Sequence, residues 1–97
     1  MPADRRQLVA DAAVPAFAPH AKFRFDEVRQ RWVVLAPERL LLPDETAIEI
    51  LHLVDGHRSV DSIVTDLAQR FSAPREAIAA DVLAMLQDLL DKAILRL

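Results

Sequence analysis

The hydrophobic rhythm of this chain changes once, at Pro43, and that change dictates its layout. Before Pro43 the period is two: Phe23 and Phe25 alternate with Lys22, Arg24 and Asp26. Asp26 to Gln30 is polar and suits a turn. Arg31-Trp32-Val33-Val34-Leu35 is a second β-rich run, stopped by Ala36-Pro37. Glu38 to Leu42 is a third, stopped by Pro43. Alternation over such short runs, with turn residues between them, predicts a small antiparallel sheet.

After Pro43 the period becomes that of a helix. Asp44 is placed to cap a first helix whose apolar face is Ala47, Ile48, Ile50, Leu51 and Val54. Asp55-Gly56 is expected to end it, with the only glycine at the left-handed cap. Ser59 caps a second helix carrying Val60, Ile63, Val64, Leu67, Ala68 and Phe71. Ser72 or Ala73, followed by Pro74, opens a third with Ile78, Val82, Met85, Leu86, Leu89 and Ala93. Lys92 lies in its last turn, and Ile94-Leu95 extends beyond it. None of these helices is long enough to persist alone, so they must pack on one another and on one face of the sheet. The predicted fold class is α+β: a three-stranded antiparallel sheet followed by a three-helix bundle, in a winged helix-turn-helix-like order. Residues 16–97 form the single domain. Residues 1–15, poor in periodicity, are expected to be a flexible tail with a transient helical turn around Leu8.

Composition removes several kinds of function. The chain has 97 residues, no cysteine and one glycine. Thiolate metal sites, iron–sulfur ligation, thiol nucleophiles and a glycine-rich phosphate loop are therefore excluded. Ser59 and Ser72 sit where caps are needed, which leaves Ser62 without a visible base. His52 and His57 straddle the Asp55-Gly56 turn, but not at the i, i+4 spacing of a helical metal site. Residues 1–39 carry seven basic and five acidic side chains; residues 40–97 carry five and ten. The third helix has Arg75 and Lys92 against Glu76, Asp81, Asp88 and Asp91, a poor balance for a groove-reading helix. No secretory signal or membrane-spanning run is visible, so a cytoplasmic protein is expected.

The third helix is more apolar than one core face requires. Leu83 and Leu90 lie seven residues apart on its shoulder, outside the arc of Ile78, Val82, Met85, Leu86 and Leu89. The third strand offers Leu40, Leu41 and Leu42, and at least one must point away from the helices. An edge strand beside an apolar helix can accept an extended peptide as a further strand. A self-contained core or a homodimer seam accounts for the same residues.

Three segments together resemble the PqqD family of pyrroloquinoline quinone biosynthesis. They are Phe23-Arg24-Phe25-Asp26 with Arg31 to Arg39, then Leu51-His52-Leu53-Val54-Asp55-Gly56-His57-Arg58-Ser59-Val60, then Asp81-Val82-Leu83 with Leu86, Leu89 and Lys92. The resemblance covers about Pro15 to Leu97. It departs at Ala93, where family members usually have glycine. The resemblance implies a winged helix-turn-helix-like peptide chaperone, the recognition element of a ribosomally made, modified peptide, and not an enzyme. Such a protein binds the precursor peptide PqqA and presents it to the radical S-adenosylmethionine enzyme PqqE. That enzyme joins a glutamate and a tyrosine of the precursor, so the iron–sulfur and radical cofactors belong to the partner and none to this chain. The peptide is implied to add beside the third strand against the third helix. Here that means Arg39, Leu40, Leu41 and Leu42 on the strand, with Val82, Leu83, Leu86 and Leu90 on the helix. Arg39 is placed to meet a peptide carboxylate, while Trp32 is expected to pack the sheet. Three alternatives stand behind this reading: a recognition element of another modified-peptide pathway, a winged-helix DNA-binding regulator, and an enzyme. The acidic third helix weighs against DNA, and neither nucleic acid nor membrane is expected as a partner.

Overall fold

A computed structural model describes residues 8–97. The order of elements is β1 (Ala16–Phe17), β2 (Lys22–Asp26), β3 (Arg31–Ala36), β4 (Arg39–Leu41), α1 (Glu45–Leu51), α2 (Val60–Phe71), α3 (Arg75–Asp91) and β5 (Leu95–Arg96). The α+β class and the sheet-then-helices order are those the two rhythms predict. The strands β2-β3-β4 form an antiparallel sheet, with Phe23 opposite Val34 and Val34 opposite Leu41. These three residues face the helices, and Val34 is buried in the core with Ile50, Leu51, Ile63, Val82 and Leu86.

Turn chemistry explains both hairpins. In the β2–β3 loop the Asp26 carboxylate accepts the N–H groups of Val28 and Arg29 at 2.9 and 3.0 Å. Gln30 then takes a positive φ of 56° to re-enter the sheet. The β3–β4 loop has only Pro37 and Glu38 between paired residues Ala36 and Arg39. Proline first and a positive φ second (59° at Glu38) is the pattern of a type II turn.

The first two helix starts agree with the expected caps, whereas the expected stop of the first helix and the expected opening of the third do not. Asp44 accepts the Ala47 N–H at 2.8 Å, and Ser59 accepts that of Ser62 at 3.1 Å. The first helix ends at Leu51, well before Gly56. Gly56 (φ +80°) serves a later turn instead, donating its N–H to the Pro15 carbonyl at 3.1 Å. Ser72 closes α2 in the left-handed region rather than opening α3. At that end Ala73 N–H reaches the Ala68 carbonyl and Ser72 N–H that of Gln69. The same pair of bonds closes α3, from Ile94 to Leu89 and from Ala93 to Leu90, both 3.0 Å. This is the Schellman arrangement, and it needs a left-handed residue after the helix. Here that residue is Ala93, with φ 61°.

The expected tail is docked over its described part; residues 1–7 of it lie outside the described residues. Pro15 is fully buried. The carbonyls of Ala13 and Asp11 accept the N–H groups of Val60 and Asp61 at 2.8 and 2.9 Å. Those two donors open α2 and have no partner within it. The Val9 N–H reaches the Gln87 side chain on α3 at 3.0 Å. Beyond Pro15, β1 pairs with β5 and so joins the start of the domain to its end. Strands of two residues carry no readable alternation, which is why the sequence pattern shows neither of them.

Candidate functional site

The strand β4 pairs with β3 on one side, and its other edge carries no strand among the described residues. Bonded and open positions alternate along an antiparallel ladder. With a two-residue loop closing on Ala36 and Arg39, Leu40 is the residue that turns its N–H and C=O outward. A free main-chain donor and acceptor therefore lie at the middle of an exposed edge.

Beside that edge runs a cleft of about 210 Å³. Leu41, Leu42 and Pro43 form one wall, and Met85, Asp88, Leu89 and Lys92 of α3 form the other. The walls are mostly apolar, and Lys92 is tied to Asp88 at 2.8 Å. Arg39 is exposed and makes no ion pair among the described residues.

The structure brings together only part of the residue set expected from sequence. Leu41 is half-buried and lines the cleft, and Leu42 lines it while 49% exposed. Leu40, opposite Leu35, points off the helix-covered face and is 39% exposed. On α3 the expected wall was Val82, Leu83, Leu86 and Leu90, and none of them faces this cleft. Val82 and Leu86 are each 1% exposed, inside the core. Leu83 and Leu90 are half-buried on the opposite shoulder of the helix. At about 100° per residue that shoulder also carries Gln87, the residue that binds Val9. The described N-terminal segment thus reaches the same shoulder as Leu83 and Leu90, at Gln87. The residues missed, Met85, Asp88, Leu89 and Lys92, were themselves legible as an i, i+3, i+4, i+7 row.

Trp32 packs on the sheet, as expected. Its ring lies 4.8 Å from that of Phe23, 5.8 Å from Phe25 and 4.6 Å from His52, centroid to centroid. His52 is held edge-on in this aromatic group, and His57 sits in the following turn. No group of three or more metal-ligating side chains occurs among the described residues. That turn is organised by Asp55, whose carboxylate accepts the N–H groups of His57 and Arg58, each at 2.9 Å. These bonds hold its pKa below the usual 3.8, with the Arg58 guanidinium adding to the effect. Arg58 also reaches Asp66, which Arg70 shares with Glu49, so a run of exposed ion pairs links the turn to α2 and α1.

No described helix is long and apolar enough to cross a membrane. The family profile described as Coenzyme PQQ synthesis protein D (PqqD) matches residues 31–95. A PqqA binding protein of Rhodopseudomonas palustris strain BisB5 is 57% identical over 93 residues, spanning 96% of this chain and 91% of its own. The solution structure of the PqqD truncation of Methylobacterium extorquens PqqCD superposes with a TM-score of 0.77 at 39% identity. It covers 92% of this chain and 95% of that one. That domain is described as a functional, stand-alone recognition element for ribosomally synthesised and post-translationally modified peptides. The crystal structure of PqqD from Xanthomonas campestris superposes with a TM-score of 0.60 at 32% identity, covering 92% and 99%.

Proposed function

The chain belongs to the PqqD family, and from that membership we propose that it binds the precursor peptide PqqA along the β4 edge and presents it to the radical S-adenosylmethionine enzyme PqqE. The observation that supports this reading is the unpaired edge of β4 standing over an apolar cleft against α3. An extended peptide laid there gains main-chain bonds to Leu40. Alternate side chains then enter the cleft between Leu41, Leu42, Met85 and Leu89. Arg39, without an ion-pair partner among the described residues, offers a cation to a peptide carboxylate.

In this proposal the chain does no bond chemistry. The radical and iron–sulfur cofactors reside in the partner, and the assembly works in the cytoplasm. Holding a flexible precursor at one place turns a bimolecular encounter into a local one, with an effective concentration set by the tether. Curated relatives carrying the PqqA binding name, and a structural relative described as a recognition element, support the reading.

The test is an amide-shift titration of the labelled domain with synthetic PqqA. The expected shifts fall at residues 39–42 and at Met85, Asp88 and Leu89. Saturable shifts confined to other surfaces would overturn the site, and a folded domain that ignores millimolar peptide would overturn the function.

A further inference from the structure

The cleft beside β4 is one end of a longer groove. Along α3 toward its N-terminus, Ala47 and Met85 are shared with a second depression that adds Thr46, Ile50 and Asp81. Thr46, Ile50 and Asp81 are shared in turn with a pocket of about 180 Å³. The groove lies between α1 and α3, whose backbones make few close approaches. From Leu89 to Ile78 it follows α3 for about 16 Å, the reach of about five residues of extended chain.

The end pocket differs in chemistry from the cleft. Its floor is Ile50, Leu67, Ile78 and Val82, and Phe71 stands at its mouth, 53% exposed. A dry protein cavity of about 150 Å³ accepts benzene, so this pocket holds one large apolar side chain. Its rim is acidic. Glu49 is engaged by Arg70 at 3.3 Å, but Asp81 has no partner among the described residues and lies on the lip of both depressions. Glu45, beside the mouth, is likewise unpaired among them. At the other end of the groove the one cation of the lining, Lys92, is balanced by its ion pair with Asp88 at 2.8 Å. The unpaired charge around the groove is therefore acidic and gathered at the pocket end, at Asp81 and Glu45.

We infer that this end pocket is an anchor subsite for the same precursor peptide, taking a bulky apolar side chain with a Lys, Arg or free amino terminus beside it over Asp81. The inference rests on the peptide-binding reading above and adds what that reading leaves open, the residue type that sets specificity and register. The apolar anchor supplies burial. The cation fixes which residue sits there, because a carboxylate at the same place would face Asp81 and Glu45.

The experiment is a titration of methyl-labelled protein with synthetic PqqA and with variants in which each large apolar residue is replaced singly by alanine. The Ile50, Leu67 and Ile78 methyl signals and the residue 39–42 amides are followed together. Both sets are expected to shift. One alanine variant is expected to erase the pocket shifts, keep the strand shifts and bind about tenfold more weakly. Asp81→Lys, on an exposed helix position, is expected to weaken binding at least fivefold at low salt with an unchanged melting temperature. Strand shifts with silent pocket methyls would overturn the anchor and leave the peptide-binding reading standing. Pocket shifts with silent strand amides would keep the anchor and overturn strand addition. Silence at both would overturn both.

Discussion

Ala93 sits where a left-handed residue is required, at φ 61°, closing α3. A Cβ there costs about 1 kcal/mol that glycine does not incur. Ala93→Gly is therefore expected to stabilise the domain by about 1 kcal/mol, raising its melting point by about 4–8 °C. A thermal melt that fell instead would refute this account of the helix end. Asp55 gives a pH prediction of definite sign. Its folded pKa lies below 3.8 because the His57 and Arg58 N–H groups bind the carboxylate. Its stabilisation is thus present above that value and lost as pH falls through the folded pKa. Asp55→Asn should flatten the fall in stability below about pH 4, measured by urea melts across pH. Caps such as Asp44 and Ser59 were legible because a short acceptor side chain before an apolar period has one common use. Gly56 was legible as a left-handed residue but not by what it serves, since its partner Pro15 is far away in sequence.

Among the elements, the three-stranded sheet was readable from alternation, but the ribbon of β1 and β5 was not. The segment before β1 was the larger miss, because its contacts are main-chain bonds to α2 that no side-chain pattern announces. Removing residues 1–13 deletes the Ala13 and Asp11 carbonyls that satisfy Val60 and Asp61. The truncated domain is expected to lose about 2 kcal/mol in denaturant melts, about 1 kcal/mol per bond. Unchanged stability would show that water replaces these partners without cost. The same docking bears on the helix residues expected from sequence, because Gln87, which binds Val9, shares their shoulder of α3. Leu83 and Leu90 stand out in the sequence as surplus apolar surface, and in the structure both are half-buried. Cleft and core separate cleanly by mutation. Leu42→Asp, half-exposed on the cleft, should weaken PqqA binding about tenfold with little change in melting point. Leu86→Ala, in the core, should instead cost about 2–5 kcal/mol of stability.

At the scale of the molecule, sheet and bundle frame a long groove between the β4–α1 stretch and α3. The Schellman closure and β5 fix the C-terminal end of α3, and the docked segment fixes its far shoulder. The acidic character of α3 counted against DNA in the sequence; in the structure Asp81 and Asp88 lie on the groove itself. The central claim is that the precursor peptide adds as a strand beside β4. Hydrogen exchange at the Leu40 amide tests it most directly, because that N–H points away from β3 while its neighbours at Arg39 and Leu41 are already paired. Saturating PqqA should slow exchange at Leu40 by at least tenfold and leave Arg39 and Leu41 nearly unchanged. Exchange at Leu40 as fast with saturating peptide as without it would contradict strand addition.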